Sequence, residues 1–88
     1  MNTSFLSQFE KDIDRIWMQS VKDDIANAVE QVKQAEGMSS IVDLKKLKGF
    51  KTAYRIRIGD YRIGAFIDGD TVEFARVVHR KDIYKLFP

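Results

Sequence analysis

Between Tyr54 and Gly64, apolar and basic residues alternate with period two on both sides of a Gly59-Asp60 break. Only extended backbone sends alternate side chains to opposite faces. The stretch therefore predicts a β-hairpin with Ile56 and Ile58 directed into a core. Arg55 and Arg57 then share the opposite face. On the return strand Tyr61 and Ile63 share one face, which leaves Arg62 and Gly64 on the other. Where the two cationic faces coincide, three guanidinium groups meet on one surface, with Asp60 at the turn as the one acid among them. Such a surface repels itself, and an anionic partner explains it better than folding does.

The chain around this hairpin has 88 residues, 44% of them apolar, which suits one modest core and hence one domain, 1–88. The absence of cysteine excludes disulfides and thiolate metal sites and suits a reducing cytoplasm. No basic-then-apolar leader is present, and no apolar run approaches the ~20 residues of a membrane span, so a cytoplasmic protein without a membrane partner is expected. The net charge of +2 is unevenly spread. Residues 1–44 carry four Lys/Arg against eight Asp/Glu, net −4, and residues 45–88 carry eleven against five, net +6. The basic half points to a polyanion or an acidic protein as partner.

Along the chain, Ser7 and Glu10 have the spacing of a capping box. Phe9, Ile13, Ile16 and Trp17 follow at helical spacing and predict one buried face, with Trp17 in the packing. Ser20 with Asp23 offers a second helix start after a Met18-Gln19 connection. Val21, Ile25, Ala28, Val29 and Val32 form the second stripe, and Gly37 suits the position just past the helix end. These two helices are expected to form an antiparallel pair. Ahead of them, Thr3 to Leu6 is long enough only for a brief edge strand.

Ser39 or Ser40 caps a further turn carrying Ile41, Val42 and Leu44, and a lysine run follows at Lys45, Lys46 and Lys48. Three strands then read in sequence: Ala53–Ile58, Tyr61–Ile67 and Val72–Val78, the last two joined by a type I′-compatible turn at Asp68, Gly69 and Asp70. The expected fold is α+β, a helical hairpin on a three-stranded antiparallel meander. In the tail, one turn of helix would put Arg80 and Tyr84 on one face, anchored by Ile83, Leu86 and Phe87. His79 is the one histidine, without a second imidazole or a thiolate to build a metal site. It reads either as a strand-end group with a structural hydrogen bond or as an acid/base, since imidazole titrates near neutrality.

A helical hairpin, then Leu47-Lys48-Gly49, the arginine hairpin from Tyr54 to Ile63, and Val78 to Tyr84 together resemble the RelE/ParE superfamily of toxins from type II toxin–antitoxin systems. The resemblance covers nearly the whole chain and implies a RelE-like fold. The chain departs from it at the start, where members open on a clear strand. RelE-like members cleave messenger RNA in the ribosomal A site, whereas ParE-like members poison DNA gyrase. The RelE-type site matches Arg55, Arg57, Arg62, Arg80 and Tyr84 here. Arginines at 55 and 57 stand where lysines occur in familiar members, which keeps the charge but not the capacity to give up a proton. A third alternative is a non-catalytic homologue that only binds an antitoxin.

Metal-free RNA cleavage uses the substrate's 2′-hydroxyl against the adjacent phosphate and yields a 2′,3′-cyclic phosphate and a 5′-hydroxyl. Guanidinium forks match phosphate oxygens, so Arg62 and Arg80 are the candidates for neutralising the extra charge. Tyr84 stacks on a base or moves a proton, and His79 is the other candidate for proton transfer. Lys48, Arg55, Arg57 and Lys81 are expected to hold the phosphodiester backbone. No metal or cofactor is expected: Asp60, Asp68 and Asp70 fall at turns, where aspartate is common for turn reasons. The expected partners are mRNA in the ribosomal A site and an acidic antitoxin that folds over the basic surface.

Overall fold

The computed structural model describes residues 1–88. In order, the elements are β1 (Asn2–Phe5), α1 (Ser7–Asp14), α2 (Gln19–Gln34), a 3-10 turn (Met38–Ser40), β2 (Leu44–Lys46), β3 (Ala53–Ile58), β4 (Tyr61–Asp68), β5 (Thr71–His79) and α3 (Ile83–Leu86). The sheet has five strands in the order β1-β5-β4-β3-β2. It is mixed: β1 runs parallel to β5, and every other pair is antiparallel. The three-stranded antiparallel meander is thus the centre of a larger sheet. Both additional strands are at the edges and only three or four residues long, too short for a period to register in the sequence.

The hairpin register is the one the alternation requires. Ile56 lies opposite Ile63 and Ile58 opposite Tyr61, while Arg57 lies opposite Arg62 and Arg55 opposite Gly64. Both hairpin loops have two residues, and positive φ is confined to Gly59 and Gly69, at 57° and 59°. That single left-handed residue at the first central position marks type II′ turns, so the expected type I′ geometry at Asp68–Thr71 is corrected.

One sheet face carries Ile56, Ile63, Ile67, Val72, Phe74 and Val77 against Phe9, Ile16, Ile25 and Val32 of the helical layer. α1 packs on β5, and α2 reaches β1 and β3. The Phe5, Phe9 and Phe74 rings lie 5.2–5.8 Å apart and lock β1, α1 and β5 together. At the end of α2 the amino-terminal ammonium donates to the carbonyls of Lys33 and Ala35, at 3.0 and 2.8 Å. A cation there meets the negative end of the helix dipole.

Several local expectations are overturned. Ser7 is the first helical residue rather than the cap; Leu6 precedes it, and no side chain caps the helix. Met18 likewise precedes α2 without a capping bond. Helix α1 stops at Asp14, so Trp17 falls in the connection and is 85% exposed instead of packed. Gly37 has φ −166°, extended backbone, and leads into the 3-10 turn instead of terminating α2.

The second sheet face is only partly covered. Leu47, Ala53, Ala75, Ile83 and Phe87 form a small cluster where the C-terminal segment lies against the sheet. The sheet admits it because position 64 has no side chain. A Cβ on Gly64 would stand 2.5 Å from Phe87 Cγ. Beside it the Phe66 and Phe87 rings are 5.0 Å apart. Leu86, expected as an anchor, is exposed; its carbonyl accepts from Arg76 Nη1 at 3.2 Å.

Arg76 also connects this segment to the helical layer. Its Nε donates to the buried Asp12 carboxylate at 2.8 Å, and the same oxygen accepts from the Val77 amide at 3.0 Å. Burial alone would raise the Asp12 pKa. Hydrogen bonds from Arg76, Gln8 and Val77, together with the Arg76 charge, outweigh it and hold the carboxyl below its ordinary value. A folded-state pKa below the unfolded value of about 3.9 adds stability that is complete above that value and lost as pH falls through the folded one. The stability advantage of the native protein over Asp12→Asn should be constant near neutrality and shrink below about pH 4. Thermal melts of both proteins across pH check this, and a pH-independent difference would contradict it. Gly64→Ala should cost about 1–3 kcal/mol by forcing Phe87 off its seat, measurable by denaturant unfolding.

Candidate functional site

The uncovered part of the second face carries the cations. Arg55 comes from the middle of β3 and Arg62 from the start of β4, so the hairpin register alone puts both on this face. Arg80 and Lys81 follow the end of β5, and Tyr84 sits on α3. The chain turns back because the Asp60 carbonyl, at the hairpin tip, accepts the Arg80 amide at 2.7 Å. Buried Ile83 and Phe87 then fix the segment so that Tyr84, 66% exposed, points to solvent beside the arginines. Arg55, Arg62, Arg80, Lys81 and Tyr84 line one open depression of about 350 Å³. Arg80 and Tyr84 meet there, although Arg80 precedes α3 and shares no helix face with Tyr84.

Within the cluster, Arg55 Nε donates to the Tyr84 phenol oxygen at 3.4 Å. Arg62 Nη1 donates to the carbonyls of Gly59 and Tyr61, at 2.8 and 2.9 Å, which holds the guanidinium against the hairpin turn. Burial first, and then the charges of Arg55, Arg57 and Arg80, push the Arg62 pKa below the usual guanidinium value, with Tyr84 acting the other way. Acids lie only at the rim. Asp60 approaches Arg80 at 3.8 Å, and Asp43 approaches Arg57 at 3.9 Å. Asp43, held at φ 60°, was not anticipated from the sequence as a neighbour of the arginines. These exposed pairs are worth little and leave the depression cationic.

Not every sequence candidate joins the cluster. Arg57 lines an adjoining depression with Asp43, Leu44, Lys45 and Arg55. Lys48 sits in the loop after β2, apart from both. His79 is opposite Tyr61 in the register, on the helix-facing side, with the rings 5.8 Å apart and edge-on. Its Nδ1 accepts the Lys81 amide at 3.2 Å, the structural hydrogen bond that was one of its two readings. Lys45, read in the sequence only as part of the lysine run, is the residue that the structure adds to the row. β2 pairs it with Arg55, which extends the basic row across the sheet. Once Leu44–Lys46 is known to pair with β3, its face follows.

A family model described as the ParE toxin of the type II toxin–antitoxin system parDE matches residues 4–84. The chain belongs to the RelE/ParE family of type II toxins. It is 38% identical to Toxin RelE3 of Methanocaldococcus jannaschii, across the full length of both chains. Its fold is similar to that of the RelB-RelE antitoxin-toxin complex from Methanococcus jannaschii, at TM-score 0.80 and 38% identity over 97% of this chain and 99% of that one. The YoeB dimer of Staphylococcus aureus shares the fold at TM-score 0.72, 18% identity and coverage of 91% and 97%.

Because the cluster is self-repelling and mostly solvated, removing one cation relieves about as much repulsion as it forfeits in hydrogen bonding. Arg62→Ala and Arg80→Ala should each shift stability by no more than about 0.5 kcal/mol, as expected of surface positions. Thermal melts at low salt check this. Unfolding of either variant would make the arginines structural.

Proposed function

We propose that this toxin is a metal-independent endoribonuclease that cleaves mRNA in the ribosomal A site by attack of the 2′-hydroxyl on the adjacent phosphate. The observation that carries the reading is the convergence of Arg55, Arg62, Arg80, Lys81 and Tyr84 on one open depression. The developing dianionic phosphorane needs fixed donors, and Arg62, already held by the turn carbonyls, supplies one without reorganising. Arg80 supplies the second fork. Arg55 and Lys81 hold the backbone phosphates on either side, with Arg57 and Lys48 further along the basic surface. Tyr84, its oxygen engaged by Arg55, moves a proton at the 2′-oxygen or stacks on a base. His79 has no part in the step, because it lies on the other face.

The cavity is shallow and built mostly from charge, so it holds phosphate but reads little of a base. Substrate alignment is the ribosome's contribution, and naked RNA should be cut weakly or not at all. A cognate acidic antitoxin covers the basic half, a reading supported by the RelB-bound state of the 38%-identical relative. The toxin acts in the cytoplasm. A gyrase-directed activity is the second reading, favoured by the ParE description of the matching family model.

Induction followed by primer extension on translated messages separates the two. Discrete cuts within coding sequence are expected, and intact messages with trapped gyrase–DNA breaks would select the gyrase reading. Arg62→Ala and Arg80→Ala should lower cleavage by about 10²–10³-fold, the loss typical of one preorganised charge donor. Tyr84→Phe keeps the ring and loses the hydroxyl. A comparable loss assigns Tyr84 to proton transfer, and near-native cleavage assigns it to stacking.

A further inference from the structure

Outside the arginine depression the molecule has a second concentration of positive charge, built differently. Between β2 and β3 the chain makes a tight loop in which Lys46, Lys48 and Lys51 surround a shallow depression of about 290 Å³ with Phe50 on its wall. The loop has a fixed shape. Leu47 is buried in the second-face cluster, its amide donates to the Ala53 carbonyl at 2.8 Å, and Gly49 takes φ 88° to make the bend. None of its lysines has an acid within ion-pair distance; the chain's three salt bridges all involve arginines. Phe50 is 49% exposed, whereas Leu47 is the apolar residue of the loop that is buried.

The two basic sites divide the cations by type. The depression beside Tyr84 uses guanidinium forks with one lysine, whereas the loop uses lysines only. Guanidinium forks impose geometry on a phosphate. Ammonium groups are point charges that attract a polyanion without fixing it. An unpaired aromatic among point charges is the composition that binds unstacked bases beside a sugar–phosphate backbone. The acidic antitoxin that covers the basic half would meet the same lysines, but a single exposed ring offers it little apolar contact.

We infer that the 46–51 loop is a second, non-catalytic contact for structured RNA. Its lysines lie on the backbone of a paired segment, and Phe50 stacks on an adjacent unpaired base. This deepens the nuclease reading: the arginine depression takes the scissile strand while the loop holds folded RNA next to it. Along β3, Ala53 at the end of the loop and Arg55 of the depression are about 7 Å apart by strand rise, so one RNA assembly can reach both.

The test is a binding titration of the full-length protein with a labelled RNA hairpin bearing an unpaired loop, repeated across salt concentrations. The triple change Lys46→Gln, Lys48→Gln and Lys51→Gln should flatten the slope of log K against log salt by about 2–3, since each phosphate contact contributes about 0.7–0.9. Phe50→Ala should weaken hairpin binding about tenfold and leave binding to a fully paired duplex unchanged. An unaltered salt slope in the triple variant would overturn the inference, as would equal effects of Phe50→Ala on hairpin and duplex. Native hairpin binding with a weakened antitoxin complex would also overturn it, by assigning the loop to a protein partner. These measurements score binding alone. If primer extension finds no cuts while the loop variants still lose RNA, the nuclease reading fails and the loop contact stands.

Discussion

The buried Asp12 carboxylate is the point through which the layers of this protein are joined. It sits on α1, takes the Arg76 guanidinium and the Val77 amide of β5, and so fastens the helical layer to a sheet strand. Arg76 passes the connection on to the Leu86 carbonyl in the C-terminal segment. Loss of either charge would leave the other partly buried and uncompensated, at a cost of about 3–5 kcal/mol. The pair therefore fixes an arrangement more than it adds net stability. It sets where β5 ends relative to α1 and where the tail begins its return across the sheet. Tyr84 rides on that tail, so the far side of the sheet depends on a carboxylate it never touches.

A sheet face that bears four cations has little apolar area left with which to hold anything. The solution is local: half of the face is given to Ala53, Ala75 and Gly64, small enough for Ile83 and Phe87 to lie directly on the strands. The other half is left open for the arginines. The register shift at Gly64/Ala65 falls at the boundary between the two halves, and a bulge there re-aims the β5 side chains. The anchoring of Tyr84 and the exposure of Arg55 and Arg62 thus belong to one packing arrangement.

How much of this could be read in the sequence follows from how local each feature is. β3 and its hairpin to β4 were legible to the residue, because period-two alternation and a Gly-Asp break fix strand, turn and face together. Three guanidinium groups on one face followed directly. β1 was legible as a brief edge strand but without its partner, and β2 not at all, since three or four residues show no period and their pairing is decided by distant strands. Trp17 was misplaced because helical spacing continued past the point where α1 ends. His79 and Arg80 are neighbours in sequence but part company at the end of β5, and the face of each depends on where that strand stops.

The sheet's outer border at β2 has a further consequence for the protein's behaviour in bulk. An unpaired strand edge invites another chain to pair with it, and natural sheets discourage this with short edges and lysine. Here the exposed edge is only Leu44–Lys46, two of its three residues are lysines, and the chain leaves the sheet at once through a tight bend. The same positive charges that suit a polyanion also keep copies of the molecule apart when none is bound. A chain rich in strand, with Phe50 and Trp17 open to solvent, is thereby protected against pairing through its β2 edge.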